Sequence, residues 1–402
     1  MSKLMTVICY ILSFTILFSG FHFNNENKQD KKNDAGFLLF ETETITRNDY
    51  ETKFSNYASE DATIEYTDSY LEKGPYGTKV VGVVRDYFTD ELIPGAVVVV
   101  GGKEVLTDCR GRFQINGFPG GIYEWSVKAK GYEDSLYLNY EVDPDDVSVF
   151  TFYLNKNKPL VYDKAEIGKE NDTTHSHDAL DFSCAEDKFK DNTKSMGSFP
   201  NVDTNVIVKH NGIIKTVNRQ VYIYTVLSGE LYGVSYYTGK GLTNTQVNEL
   251  YIAQATAANT FLEYAKKVYS NHPDCDVCST TCCQVYDPTL VTLAAMTATT
   301  SIFYNAGGQY RTNIVMYKPT STTYDYIYGA YFSSCGNQGT VTVSLQPALQ
   351  AVSCTDLATG AGGHRKGMCQ MGAAYLAKSG YTSGNILHYY YYNCCIAACA
   401  LA

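Results

Sequence analysis

The chain has 402 residues, a formal net charge of -10, 13 cysteines, 35 tyrosines and a single tryptophan. Its length exceeds one ordinary domain and predicts two folded units with linkers. The acidic balance argues against nucleic acid as a partner and against charge-driven adhesion to an anionic surface, so any membrane contact is expected from the amino-terminal segment alone.

Met1-Ser2-Lys3 opens the chain, and a largely apolar run follows from Leu4 to Phe23. The run is long enough to span a bilayer, and Ser19-Gly20 offers a small-residue cleavage site. Residues 1–23 are therefore read as a signal peptide or a membrane anchor, and the rest as extracytoplasmic. Residues 24–77 are polar and acidic, with Glu41-Thr42-Glu43-Thr44 and Ser59-Glu60-Asp61, and predict a flexible tether. In an exported chain so many cysteines predict disulfides. Cys9 lies in the export segment, and the others concentrate toward the C-terminal half.

From Lys79 the pattern changes to β-formers broken by Gly, Pro and Asp turns: Val80-Val81-Gly82-Val83-Val84, Ala96-Val97-Val98-Val99-Val100, Thr107 to Phe113, and Gly121 to Val127. Short strands at this spacing predict a small all-β sandwich over 78–155. The order of its Pro94-Gly95-Ala96, Thr107-Asp108 and Gly131-Tyr132 turns resembles the carboxypeptidase-regulatory-like, Ig-type domain. That resemblance implies a spacer or adhesion module without catalysis. Residues 156–200 are Lys/Asp/Asn/Ser-rich and read as a linker, with His175, His177 and Asp178 as solvated groups.

A new unit spans 201–402. Val206 to Lys215 reads as a hairpin turning at Asn211-Gly212, and Val221 to Leu227 as a strand ending near Glu230. Thr243-Asn244-Thr245-Gln246 is a capping-box start for a helix whose apolar face carries Val247, Leu250, Tyr251, Gln254, Ala258, Phe261 and Leu262. More strands and a closing helix complete an α+β domain. The abundant tyrosines either fill strands or line a sugar-binding cleft, since an aromatic body with a polar tip suits a sugar ring.

Four segments of this half, in order, resemble the stage II sporulation protein D (SpoIID/LytB) family of peptidoglycan-cleaving proteins. They are Val226 to Glu230, Glu249 to Phe261, Gly329 to Gly336, and Gly363-His364-Arg365-Lys366-Gly367-Met368-Cys369-Gln370-Met371-Gly372 running on to His388-Tyr389-Tyr390. The resemblance implies a lytic transglycosylase that cuts peptidoglycan glycan strands and leaves 1,6-anhydro ends, in wall remodelling such as sporulation. It implies Glu230 as acid/base, with Gln254, Ser333, Ser334, His364 and Gln370 supporting substrate. His364 is then the residue to orient Glu230 or touch the sugar. Asn259, Ile252 and Arg365-Lys366 depart from the family pattern. A non-catalytic wall-binding protein, or an enhancer of another wall hydrolase, therefore stays open beside the enzyme. Glu249, inside the first turns of a helix, is expected to favour the helix dipole or pair locally.

His272, Cys275, Cys278, Cys282 and Cys283 place soft ligands in one short loop, which suits either a structural zinc or a disulfide knot. The family resemblance implies zinc on His272, Cys278 and Cys283, with Cys282 as the competitor of Cys283. Cys275, Cys282 or water would supply a fourth donor. Cys335 and Cys369 are expected to pair with each other, and His388 to pack the closing helix.

Overall fold

The computed structural model describes residues 79–166, 198–268, 272–279, 283–306, 308–344, 346–358 and 361–402. The expected export segment (1–23), tether (24–77), most of the linker with His175 and His177, and Cys282 lie outside the described residues. Among the described residues no helix is long and apolar enough to cross a membrane.

The first domain is a two-sheet sandwich of β1 (Lys79–Asp86), β2 (Val97–Val100), β3 (Lys103–Leu106), β4 (Arg112–Asn116), β5 (Gly121–Lys128), β6 (Ser135–Val142), β7 (Ser148–Leu154) and β8 (Leu160–Asp163). One sheet runs β7-β1-β4 and the other β3-β2-β5-β6-β8. Alternate residues face inward as a pleated strand requires, and Val80, Val84, Val98, Trp125, Val127, Tyr137, Phe150 and Phe152 make the core. Chain beyond the expected boundary at 155 also packs on this domain. Leu160 and Tyr162 are buried against that core, and β8 pairs in parallel with β6.

The second domain begins with β9 (Asn201–Val202), β10 (Asn205–His210) and β11 (Ile213–Asn218), followed by α1 (Arg219–Glu230), α2 (Val234–Gly239) and α3 (Asn244–Lys267). Next come β12 (Val277–Cys278), β13 (Leu290–Thr292), α4 (Leu293–Ile302), β14 (Phe303–Ala306), β15 (Gln309–Tyr317) and β16 (Asp325–Tyr326). Short strands β17 (Tyr331–Phe332), β18 (Ser334–Cys335), β19 (Ala361–Gly362) and β20 (Met368–Cys369) lead to α5 (Gln370–Lys378), α6 (Ser383–Tyr390) and β21 (Cys394–Leu401). The main sheet is β14-β15-β21-β9 with β16 on β15, and a second sheet is β11-β10-β12. Helix α3 packs against α1, α4, α5, α6 and β15 and is the hub of the domain.

Local signals explain several of these elements. Asn211 and Gly212 both take positive φ (50° and 75°), as a two-residue hairpin turn between β10 and β11 demands. Thr243 and Gln246 form the expected capping box at the start of α3. The expected strand over Val221–Leu227 is instead the body of α1. Its run of β-formers is buried from Tyr222 to Leu227, and a helix apolar on all sides is stable only inside a protein. Asn218 caps it by accepting from Gln220 N–H at 2.9 Å. Packing has overridden intrinsic preference here.

Asn259 has a structural role. Buried Arg219 donates to Asn259 Oδ1 at 2.9 Å and pairs with Glu263, both charges being almost fully enclosed. Asn259 in turn donates to Thr312 Oγ1 and the Asn313 carbonyl, tying α1 and α3 to β15. Many of the described tyrosines are core material, with Tyr137, Tyr140, Tyr222, Tyr237, Tyr251, Tyr264, Tyr390 and Tyr391 all fully buried.

The two domains share a sheet. Strand β13 of the second domain pairs antiparallel with β7 of the sandwich, Leu290 opposite Phe150, and Leu290 joins the sandwich core. Asp146 accepts from Ala294 N–H at the start of α4, and Asp143 from Ser235 N–H in α2. Lys164 reaches Asp287 at 2.7 Å, and Thr289 Oγ1 bonds the Tyr140 hydroxyl at 2.6 Å.

Candidate active site

Glu230 is the last residue of α1, not the end of a strand. Its Oε1 accepts from Val285 N–H at 2.7 Å. Desolvation pushes its pKa up to about 7, although the Val285 N–H, the Gln370 amide and the Tyr331 hydroxyl favour the charged form. The negative end of the helix dipole acts in the same direction as desolvation. A carboxyl held this way exchanges its proton near neutral pH, which is what acid/base work requires.

Several groups around Glu230 were not named as site residues by the sequence. Tyr331 on β17 accepts a hydrogen bond from Gln284 Nε2 at 2.8 Å. The same amide nitrogen reaches the Ala258 carbonyl, and Gln284 Oε1 accepts from the Tyr222 hydroxyl. This network fixes Tyr331 from α1 and α3 together. Beyond α1, Tyr232 is 54% exposed and stacks on Tyr236 with ring centroids 4.2 Å apart. Neither Gln284 nor the Tyr232–Tyr236 pair was singled out by the sequence. The adjacency of Tyr232 to Glu230 was the signal available for that pair.

The other expected site residues divide. Gln370 is buried at the start of α5, with its amide near enough to Glu230 to favour the carboxylate although its Nε2 completes no hydrogen bond of normal geometry. Gln254 is fully buried on α3, and neither of its amide atoms has a partner. Buried amides left unsatisfied are rare and mark places where a ligand group could be received. Ser334 is buried and donates to Asp356, while Ser333 is exposed and its carbonyl accepts from Met371 N–H. The structure does not bond His364 to Glu230. Its Nδ1 accepts from Lys366 N–H, its ring packs on Phe332, and burial lowers its pKa to about 4. Glu249 caps α6 by accepting from Ser383 N–H, and His388 is exposed rather than packed.

The departure at Arg365 has a local cause. Arg365 takes φ 59°, a left-handed conformation that favours glycine. Its guanidinium compensates by donating to the Gly339 carbonyl, the Gln338 carbonyl and Gln338 Oε1 at 2.8–2.9 Å.

His272, Cys278 and Cys283 converge, their ligand atoms all lying within 4.8 Å of one another. His272 and Cys278 are buried, and His272 Nε2 lies 3.1 Å from Cys283 Sγ. An imidazole and two thiols at this spacing could hold a soft divalent ion. Cys275 is buried but outside this cluster, and burial raises its thiol to about 12. The loop ends at Gln284 and Val285, the residues that position Tyr331 and Glu230. The expected Cys335–Cys369 pair is replaced by a three-thiol cluster with Cys354, and none of these is disulfide-bonded.

Residues 79–155 match the carboxypeptidase regulatory-like domain family, in agreement with the sandwich. No curated protein matches the chain. Similar solved structures include C-terminal and N-terminal interface mutants of a type II cohesin–X-dockerin complex from Acetivibrio cellulolyticus. They are 20% and 21% identical with TM-scores of 0.16 and 0.17, and each match covers 21% of this chain and 56% of that one. A protein of unknown function from Bacteroides fragilis is 24% identical over 20% of this chain and 28% of its own, with a TM-score of 0.16. The chain thus spans about half the length of the first two structures it matches.

Proposed function

We propose that the protein is an extracytoplasmic lytic transglycosylase of the SpoIID/LytB kind, acting on peptidoglycan glycan strands with Glu230 as acid/base. The observation that carries this reading is a carboxyl at the end of α1 whose pKa lies near 7, facing Gln370 and Tyr331. The protonated carboxyl gives its proton to the glycosidic oxygen as the bond from N-acetylmuramic acid to N-acetylglucosamine breaks. The carboxylate then takes the proton of the same muramic sugar's C6 hydroxyl, whose oxygen closes on the anomeric carbon. A 1,6-anhydro end forms and the acid is regenerated without water, so one carboxyl suffices where ordinary glycosidases use two. Exposed Tyr232 offers an apolar ring to a sugar beside the acid, and the buried amides of Gln254 and Gln370 support recognition of N-acetyl groups. A structural zinc on His272, Cys278 and Cys283 would fix the loop that ends at Val285. Other wall hydrolases are the natural partners of such an activity.

The test is mass spectrometry of purified glycan strands after incubation with the full chain. Anhydro-ended products are expected from the native protein and none from Glu230→Gln, which should still bind strands. Bound but intact strands with the native protein would favour the non-catalytic wall-binding reading. Undiminished activity of Glu230→Gln would remove Glu230 from the mechanism.

A further inference from the structure

The second domain also holds a second thiol cluster. Cys335 ends β18, Cys354 lies in the loop after it, and Cys369 ends β20 and caps α5. The three are 0%, 7% and 0% exposed, and their sulfurs lie within 4.8 Å of one another. Asp356 Oδ2 sits 3.2 Å from Cys335 Sγ and 3.9 Å from Cys369 Sγ. Tetrahedral zinc, with bonds of about 2.3 Å to sulfur and about 2.0 Å to oxygen, sets sulfurs roughly 3.8 Å apart and oxygen roughly 3.5 Å from each sulfur. The two oxygen–sulfur distances bracket the second value, and the three sulfurs lie close enough together to share one ion.

The surroundings are built for such a centre. Asp356 Oδ2 is oriented by the Ser334 hydroxyl and the N–H groups of Cys335 and Gly336, all at 2.8–2.9 Å. Polar groups also approach the sulfurs, as they do around metal-bound thiolates: Gly372 N–H donates to Cys369 Sγ at 3.2 Å, and the Tyr390 hydroxyl oxygen lies 3.2 Å from Cys354 Sγ. Gly372 makes the approach possible, because a Cβ there would come within 2.3 Å of Cys354 Sγ and 2.2 Å of the Tyr390 oxygen. Three cysteines can form only one disulfide and would strand a buried third thiol. As a metal set all three are used.

We propose that Cys335, Cys354 and Cys369 form a three-thiolate structural site for a soft tetrahedral divalent ion such as zinc, with its fourth position open to Asp356 or water. Binding exchanges the thiol protons for the metal and releases them to solvent, with no change of oxidation state. The ion would pin β18, the Cys354 loop and α5 together. Gln370 follows Cys369 directly, and Tyr331 on β17 pairs with Met368 on β20, so the clamp would set two of the groups that face Glu230.

The test is cobalt titration of the full chain, reduced and metal-free, carrying Cys278→Ser and Cys283→Ser to silence the other cluster. One equivalent of cobalt with intense thiolate charge-transfer absorption is expected, along with tetrahedral ligand-field bands. The charge-transfer signal should disappear with Cys354→Ser and persist with Asp356→Asn. If the doubly substituted chain does not fold, the native chain should bind two equivalents, falling to one with Cys354→Ser. Folded, reduced protein that takes up no cobalt into this cluster would overturn the proposal. So would mass mapping of protein isolated without reductant that finds two of the three cysteines joined as a disulfide.

Discussion

Glu230 shows how a single residue is tuned by where its helix stops. The Val285 N–H, the Gln370 amide, the Tyr331 hydroxyl and, at longer range, Lys164 favour its charge, but desolvation outweighs them and leaves the pKa near 7. Tyr222, whose own ionisation burial suppresses, stays neutral beside it. If the protonated carboxyl starts the reaction, release of anhydro products should fall as pH rises through about 7. Stability should follow a related course. Because the folded pKa lies above the unfolded value near 4.3, the favourable contribution is complete below about pH 4 and is lost as pH rises through 7. Glu230→Gln should therefore melt several degrees higher than the native chain at pH 8 and nearly with it at pH 4. Equal melting differences at the two pH values would contradict this assignment. Arg365 offers a second test at this scale. Arg365→Ala keeps the strained backbone and loses the guanidinium bonds, whereas Arg365→Gly loses the bonds and relieves the strain. Urea unfolding should find the alanine variant less stable than the glycine variant by about 1 kcal/mol.

At the scale of elements, α1 and α3 divide what local sequence can and cannot say. The capping box at Thr243 and the Asn211-Gly212 turn were legible because each is set by a few adjacent residues whose hydrogen bonds or φ angles admit little else. Helix α1 was not, because Val221 to Leu227 carries β-forming side chains and becomes helical only when enclosed by α3, α4 and β13. Glu230 on α1 and Gln370 on α5 lie on helices that both pack on α3, which carries Gln254. The network of Gln284, Tyr331 and Tyr222 was not legible, since it joins three segments distant in sequence. Asn259 belongs to the same class of long-range feature, its identity making sense only beside Arg219 and Glu263. That pair is almost wholly buried, and removing one partner leaves an uncompensated charge. Arg219→Met should cost about 3–5 kcal/mol in chemical denaturation. Arg219→Met combined with Glu263→Leu should recover a large part of the loss. A single variant within about 0.5 kcal/mol of the native chain would show the pair to be dispensable.

For the whole molecule, the junction between sandwich and α+β domain decides what can be studied in isolation. A spacer domain would touch its neighbour through a linker. Here β13 completes a sandwich sheet, Leu290 enters the sandwich core, and Asp143 and Asp146 accept from backbone N–H groups of α2 and α4. Cutting between the domains would expose Leu290 and strip β7 of its pairing with β13, so residues 201–402 alone should be poorly folded. Two probes can follow the domains separately in the intact chain. Trp125, the only tryptophan, is fully buried in the sandwich, whereas all helices among the described residues belong to the second domain. Tryptophan fluorescence and helical circular dichroism should therefore report one coincident thermal transition. Leu290→Ala should lower both signals together, by about 2–4 kcal/mol for a large-to-small change in a packed core. Two separate transitions, with only the fluorescence midpoint moved by Leu290→Ala, would mean that the domains fold independently and that the shared sheet is an ordinary contact.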